Sequence, residues 1–352
     1  MIWGHQVRRC SISLLIVAAV LVPTAGAQPP AVDRERLVTL LRARSFHAPE
    51  GFKALVVELE RSSDGTTVAH YYDWQGTSDD REDWWPASTV KIFAAVAALE
   101  RMNELGFPVR SWLTYQYVEE SQPAPVTMRM DQIVRLAIGR SSNPDFDRLV
   151  ELVGFDEINR DFLVPRNGIH DTVFLRGYGG RHRDETTGVS TARHSPTITL
   201  RQGRRVQTLE ARHGTGTYDC PDEGNCTTLL DLTETMRRVM LHEELPVAER
   251  YRLREPDLAV LRDALAVARN RHIAEVFEEA FGDAPVRVWH KPGYALQWVS
   301  DVLFIHRTDT GQRWVVAMAA RRDRRALDSA AAHVGALLAS GGLGAQRDRA
   351  AP

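Results

Sequence analysis

Lysine is nearly absent from this chain. Of 44 basic residues among 352, only Lys53, Lys91 and Lys291 are lysines; the others are arginine. Arginine keeps its proton in a protein, whereas a buried lysine can give it up. Each lysine therefore gains weight as a chemical group, although the base composition of the gene would produce the same bias. An excess of one charge is also missing, because the formal net charge is −2. That argues against a nucleic-acid partner and against attraction to an anionic membrane surface. Long apolar runs are confined to Ile12–Val22, which is too short to span a bilayer. With Arg8 and Arg9 before it and Ala25-Gly26-Ala27 after it, this run reads as a secretory leader over residues 1–27. Cysteine is scarce too. Cys10 precedes the apolar core of the leader and is not placed as a lipoprotein cysteine. An exported chain would then keep Cys220 and Cys226, an expected local disulfide, with two free thiols as the other reading. No nearby C-x-x-C or H-x-x-x-H turns that pair into a metal site. His170, His182, His194 and His213 fall in one irregular segment without ligand spacing, so no metal and no cofactor is expected. The expected product is a soluble, periplasmic or secreted monomer without a membrane partner.

One stretch organises what is present. Pro86-Ala87-Ser88-Thr89-Val90-Lys91 leads into Ala94-Ala95-Val96-Ala97-Ala98-Leu99, a run of high helix propensity. If the helix starts near Ala87 or Ser88, then Ser88 and Lys91 share a face. A lysine neutralised by burial there can take the proton of the hydroxyl. Taken alone, an N-cap serine or threonine beside a solvated lysine explains the same residues.

The wider pattern predicts a helix over 31–45, strands over Phe52–Leu59 and Thr66–Tyr72, and a loop to Trp85. Residues 107–163 read as helical with short breaks. Asp131–Ile138 is one helix there, and Pro144–Leu152 another capped by Asn143. Pro165–Gly224 is irregular, with a small hairpin over Thr197–Leu209 around Gln202-Gly203. Helices return over Thr228–Leu241 and Asp257–Phe281. Strands follow over Val286–His290, Val299–His306 and Arg313–Ala319, then a helix over Arg325–Leu338 and a disordered tail over 341–352. The expected fold is α/β (α+β): a five-stranded antiparallel sheet flanked by terminal helices, with a mostly helical inserted subdomain over about 86–284. The cleft between the two halves is the expected site.

Acyl transfer needs a second proton carrier, a cationic group and two backbone N–H donors besides the serine and its base. Ser141-Ser142-Asn143 and Lys291-Pro292-Gly293 offer them. S-x-x-K occurs only at Ser88, S-x-N only at Ser141 and K-x-G only at Lys291, in that order. Such a set is the signature of penicillin-recognising serine enzymes. The chain resembles the serine β-lactamase/penicillin-binding protein superfamily, and the class A β-lactamase branch most closely, over roughly residues 35–340. Leu149-Val150-Glu151-Leu152-Val153-Gly154 and Asn225-Cys226-Thr227-Thr228-Leu229 support this.

The resemblance implies a catalytic domain over 31–340 and a β-lactam or D-Ala-D-Ala peptide as the small-molecule substrate. It implies that Ser88 is acylated, Lys91 activates it and Ser141 passes the proton to the leaving nitrogen. Asn143 would bind the substrate amide and Lys91, and Lys291, with Gly293 beside it, the substrate carboxylate. The N–H groups of Ser88 and Tyr294 would form the oxyanion hole. Two departures stand out. Pro292 removes the hydroxyl of the K-T-G motif, leaving carboxylate binding to Lys291 and an arginine the sequence does not identify. Val173–Gly180, aligned with the family's omega loop, has no carboxylate for deacylation. Asp184 and Glu185 are the nearest, and pairing with Arg181 and Arg183 on the surface explains them equally well. The expected function is hydrolysis of β-lactams, with antibiotic resistance as its consequence. The alternatives are a D,D-peptidase or penicillin-binding-type protein that deacylates slowly, and a non-enzymatic wall-binding sensor.

Overall fold

The computed structural model describes residues 28–117, 124–180, 190–221, 224–295, 297–321 and 324–344. The leader, Cys10, His182, Asp184, Glu185 and residues 345–352 lie outside the described residues.

The chain opens with β1 (Val32–Asp33), α1 (Arg36–Arg42), β2 (Lys53–Arg61) and β3 (Thr67–Asp73). Its last part holds β10 (Val286–Ala295), β11 (Trp298–Arg307), β12 (Arg313–Arg321) and α9 (Arg324–Ala339). These strands form one sheet in the order β1-β3-β2-β12-β11-β10. The five expected antiparallel strands are all there. A sixth, β1, adds in parallel to β3 through Val32 opposite Tyr71 and Asp33 opposite Tyr72. Two residues carry too little pattern to announce a strand.

Both faces of the sheet are covered, so its central strands read as continuous apolar runs. In β2, Leu55, Val57 and Leu59 enter the core under the inserted segment, while Ala54 and Val56 enter the core under the terminal helices. That second core takes Leu37 and Leu41 of α1 and Leu327, Val334 and Leu338 of α9, each fully or almost fully buried. Each such leucine contributes roughly 1.5–3 kcal/mol. The chain stays ordered beyond Ser340: Leu343 is buried, and its carbonyl accepts the Arg36 Nε proton at 2.8 Å. The expected disordered tail is thus corrected for residues 341–344, which Leu343 pins to the core.

Between the sheet halves lie α2 (Lys91–Glu104), β4 (Trp112–Gln116), β5 (Val126–Arg129), α3 (Met130–Val134), α4 (Asn143–Val153) and the single turn α5 (Phe155–Glu157). Then come β6 (His194–Ser195), β7 (Thr197–Gln202), β8 (Arg205–Leu209) and β9 (Arg212–His213), followed by α6 (Leu229–Met240), α7 (Glu255–Ala266) and α8 (His272–Ala280). Every residue of α2 from Lys91 to Glu100 is buried, the mark of a helix running through a core. The hairpin β7–β8 forms as expected. It joins β4 and β5 in a four-stranded sheet, order β5-β4-β7-β8, where a helical stretch was expected. Trp112–Gln116 alternates exposed and buried, but its partner β7 is remote in sequence, so local pattern alone missed it.

Two helix boundaries also differ. Asp257–Phe281 is split into α7 and α8 because Asn270 adopts φ +60°, which no helix contains. The N-cap of α4 is Ser142, whose Oγ accepts from the Asp145 N–H at 3.4 Å, and Asn143 is the first helical residue. Asn143 leaves the capping role because its side chain is turned to Lys91. Cys220 and Cys226 are joined, with Cα atoms 5.9 Å apart. Among the described residues no helix is long and apolar enough to cross a membrane.

Candidate active site

Ser88 sits on a tight 3-10 turn, Ala87–Val90, that feeds directly into α2. The turn begins under strain, with Ala87 at φ +50°, a region a residue with a Cβ rarely enters. Burial of Ala87 and a hydrogen bond from Tyr178 Oη to its carbonyl, 3.1 Å, hold it there. Ser88 lines a cleft of about 830 Å³ together with Ser141, Asn143, Gly293 and Tyr294. The motifs singled out from the sequence therefore converge on one cavity.

Lys91 is fully buried at the start of α2. Its Nζ donates to the Ser141 carbonyl and to Asn143 Oδ1, both at 2.6 Å. Burial pushes its pKa down to about 7, against the opposing pull of Asp147 and then Asp145. About half of the lysine is then a neutral amine at neutral pH. Two neutral oxygen acceptors hold it in place without a salt bridge that would lock on its proton.

Ser141 follows a π-helical turn, Arg135–Gly139, and takes φ +55°. This left-handed residue sends its carbonyl toward Lys91 and its hydroxyl toward Lys291, whose Nζ donates to Ser141 Oγ at 3.0 Å. Lys291 is also fully buried and donates to the Pro292 carbonyl at 2.9 Å. Burial first, and the neighbouring Lys91 second, hold its pKa well below that of a free lysine. Two buried amines thus flank one serine, Lys91 at its carbonyl and Lys291 at its hydroxyl.

Gly293 is required by close approach. A Cβ there would lie 2.5 Å from the Pro86 carbonyl oxygen and 2.5 Å from Ser300 Oγ. Strand β10 can therefore press against the Ser88 turn only without a side chain at this point. Gly293→Ala is expected to lower stability by about 1–3 kcal/mol, read as a drop in thermal midpoint, and to slow any reaction of Ser88 by moving the turn. Tyr294, which follows, is 67% exposed at the cleft mouth. Opposite Pro292 in the register stands Asp301, whose Oδ2 lies 2.9 Å from His290 Nδ1 in a fully buried pair.

The aligned omega segment supplies a tyrosine where a carboxylate was sought. Tyr178 stacks on Phe146 at 4.7 Å, and Lys91 Nζ lies 5.8 Å from its ring centre. Burial raises its pKa, so it stays a phenol. The backbone N–H groups of Tyr178 and Gly179 donate to the two oxygens of Asp147 at 2.6 and 2.7 Å. Asn225 Oδ1 accepts from the N–H groups of Leu175 and Arg176, 2.8 Å each, anchoring the segment from the other side. Tyr178, Asp147 and Asn225 were missed because a search for acid–base groups passes over residues that shape a loop. Arg176 and Arg324 are the arginines among the residues lining the cleft. His194 and His213 pair across β6–β9, with Nδ1 atoms 3.4 Å apart, and His170 uses its backbone N–H on Asp231 Oδ1 at 2.9 Å. Among the described residues no cluster of three or more His, Cys, Asp or Glu could hold a metal.

Solved structures share this architecture. A class A beta-lactamase from Bacteroides cellulosilyticus is 14% identical, with TM-score 0.55, covering 90% of this chain and 100% of that one. A beta-lactamase from Sphaerobacter thermophilus is 18% identical, with TM-score 0.55, covering 88% and 98%. PBP-A is 16% identical, with TM-score 0.57, covering 89% and 100%. At such identities the likeness is one of fold. The comparison with curated proteins finds no match. The model of the beta-lactamase enzyme family, however, matches residues 65–340, a span from the β2–β3 turn to the end of α9. That span takes in all three motifs lining the cleft, and the chain belongs to the beta-lactamase enzyme family.

Proposed function

We propose that the protein is an exported serine hydrolase that opens β-lactams through an acyl-enzyme on Ser88, within a single catalytic domain over 31–340. The observation that carries this reading is Lys91, buried and held near pH 7 one turn from Ser88. In this mechanism Ser88 Oγ attacks the lactam carbonyl while its proton passes to the neutral Lys91 amine. The N–H groups of Ser88 and Tyr294 receive the oxyanion. The ring C–N bond then breaks, and the Ser141 hydroxyl hands the nitrogen a proton, drawing on Lys91 with Lys291 alongside. Asn143 orients Lys91 and the substrate amide, and Lys291 attracts the substrate carboxylate in place of the hydroxyl lost at Pro292. No cofactor takes part.

Tyr178 favours the second reading, a D,D-peptidase or penicillin-binding-type protein that acylates readily and deacylates slowly. Its ring packs beside Lys91, and Val173–Gly180 brings no carboxylate to activate water. PBP-A, a structural neighbour, bears a name of that class. The mature protein mixed with penicillin G is expected to destroy the drug through an adduct of one drug molecule that turns over, as a hydrolase requires. An adduct that persists while free drug declines slowly would instead assign the second reading. Neither adduct nor drug loss would overturn acylation itself.

A further inference from the structure

The four-stranded sheet β5-β4-β7-β8 buries one face and leaves the other open. Leu113, Tyr115, Ile198 and Leu200 point into the core. The alternate residues point outward and align in two cross-strand rows. One row runs Arg129, Trp112, Arg201, Val206, and the next runs Thr127, Thr114, Thr199, Thr208. Trp112 is 46% exposed and Val206 59%, which leaves an indole on the open face of the sheet. Within the threonine row, Thr114 and Thr127 hydroxyls lie 2.9 Å apart and Thr199 and Thr208 hydroxyls 3.3 Å, which orients them while leaving hydrogen-bonding capacity outward. A shallow depression of about 1090 Å³ covers the face, with Arg201 and Arg204 at its side. Neither arginine has an acidic partner among the described residues. The depression shares no lining residue with the Ser88 cleft.

We infer that this face binds a glycan strand bearing carboxylates. A pyranose ring offers an apolar face that stacks on an indole and a rim of hydroxyls that matches a threonine row. Unpaired guanidinium groups beside the tryptophan suit carboxylates, which they bind in bidentate fashion. An extended peptide would instead seek a strand edge, and a nucleic acid a broader basic surface than a chain of net charge −2 presents. Strand preference alone explains threonines, but not a half-exposed tryptophan with the unpaired Arg201 in register on one side, while Arg129 on the other is held by Asp131. The carboxylate-bearing glycan of the bacterial wall is the occupant the face fits. Only that choice of source leans on the proposed site chemistry; the surface chemistry does not depend on it.

The test uses full-length mature protein carrying Ser88→Ala, so acylation plays no part. It is co-sedimented with cell-wall glycan stripped of its peptides, and with chitin, a similar backbone without the carboxylates. Binding to the wall glycan is expected, with chitin bound at least tenfold more weakly. Trp112→Ala and Arg201→Ala should each weaken binding about tenfold, while Trp112→Phe retains most of it. Thermal unfolding of each variant checks that the sheet is intact. Absence of binding, equal binding to chitin, or binding unchanged in both alanine variants would overturn the assignment. The same variants with Ser88 intact should take up penicillin G at the unmodified rate, which separates this face from the cleft.

Discussion

Ser88→Ala is expected to eliminate the penicillin G adduct, with acylation falling by about 10⁶-fold. The magnitude follows from the arrangement. In the proposed mechanism Lys91, Ser141 and Lys291 act on a proton that originates at Ser88 Oγ, and without that oxygen they would have nothing to activate. The fold should be untouched, because Ser88 lines the cleft and is only half-buried, and its side chain supports no other element. Intact-mass measurement after incubation with the drug reads the result directly. An adduct that survives in Ser88→Ala would place the nucleophile elsewhere and dismantle the proton route built around it.

The second large effect belongs to Lys91. Lys91→Met keeps the length and buried volume of the side chain but removes the base, so acylation should fall about 10²–10⁴-fold. The pH dependence is the sharper signature. With its pKa near 7, Lys91 is mostly neutral at pH 8 and mostly charged at pH 6. Acylation should therefore be about tenfold slower at pH 6 than at pH 8, and this dependence should vanish in Lys91→Met. A midpoint near 7 that persists in the variant would assign the base to another group. Stability carries the matching sign. The unfolded chain holds the lysine proton up to its ordinary value of 10.5, whereas the folded chain releases it near 7. Between those values the unfolded state binds more protons, so the contribution of Lys91 to stability rises with pH. Its penalty is fully present below pH 7 and is relieved as pH climbs toward 10.5. Denaturant midpoints of the parent and Lys91→Met should accordingly differ most below pH 7 and converge above it.

Much of the site was legible because its groups are chemically rare in this chain. With three lysines in 352 residues, the coincidence of S-x-x-K, S-x-N and K-x-G in order is hard to produce by accident. The sheet was legible for a related reason. Strands buried on both faces need long apolar runs, and Ala54–Val57, Val302–Ile305 and Val315–Ala320 are such runs. The short strands β1, β4 and β5 were not, since each is held by partners far along the chain and by almost nothing local. The cap of α4 was misassigned by one residue because two consecutive polar residues satisfy the same rule. The choice between them is made by Lys91, which takes Asn143 for itself.

What the amino-acid order determined by itself is the inventory: a serine one helical turn from a lysine, a second serine with an asparagine, a second lysine, and an omega segment without a carboxylate. Those are statements about which groups exist and how far apart they lie along the chain. Only the tertiary structure decided the state of those groups. Burial is a property of the packed molecule, and it lowers the pKa of Lys91 and Lys291 where the sequence offers two ordinary cations. The left-handed turn at Ser141 aims one residue at two amines remote in sequence, Lys91 of α2 and Lys291 of β10. Tyr178 is set beside Lys91 by Asp147 and Asn225 gripping the backbone around it. Local sequence can specify a helix start or a strand, but a proton affinity depends on everything that excludes water from the group, and that is assembled only when the chain folds.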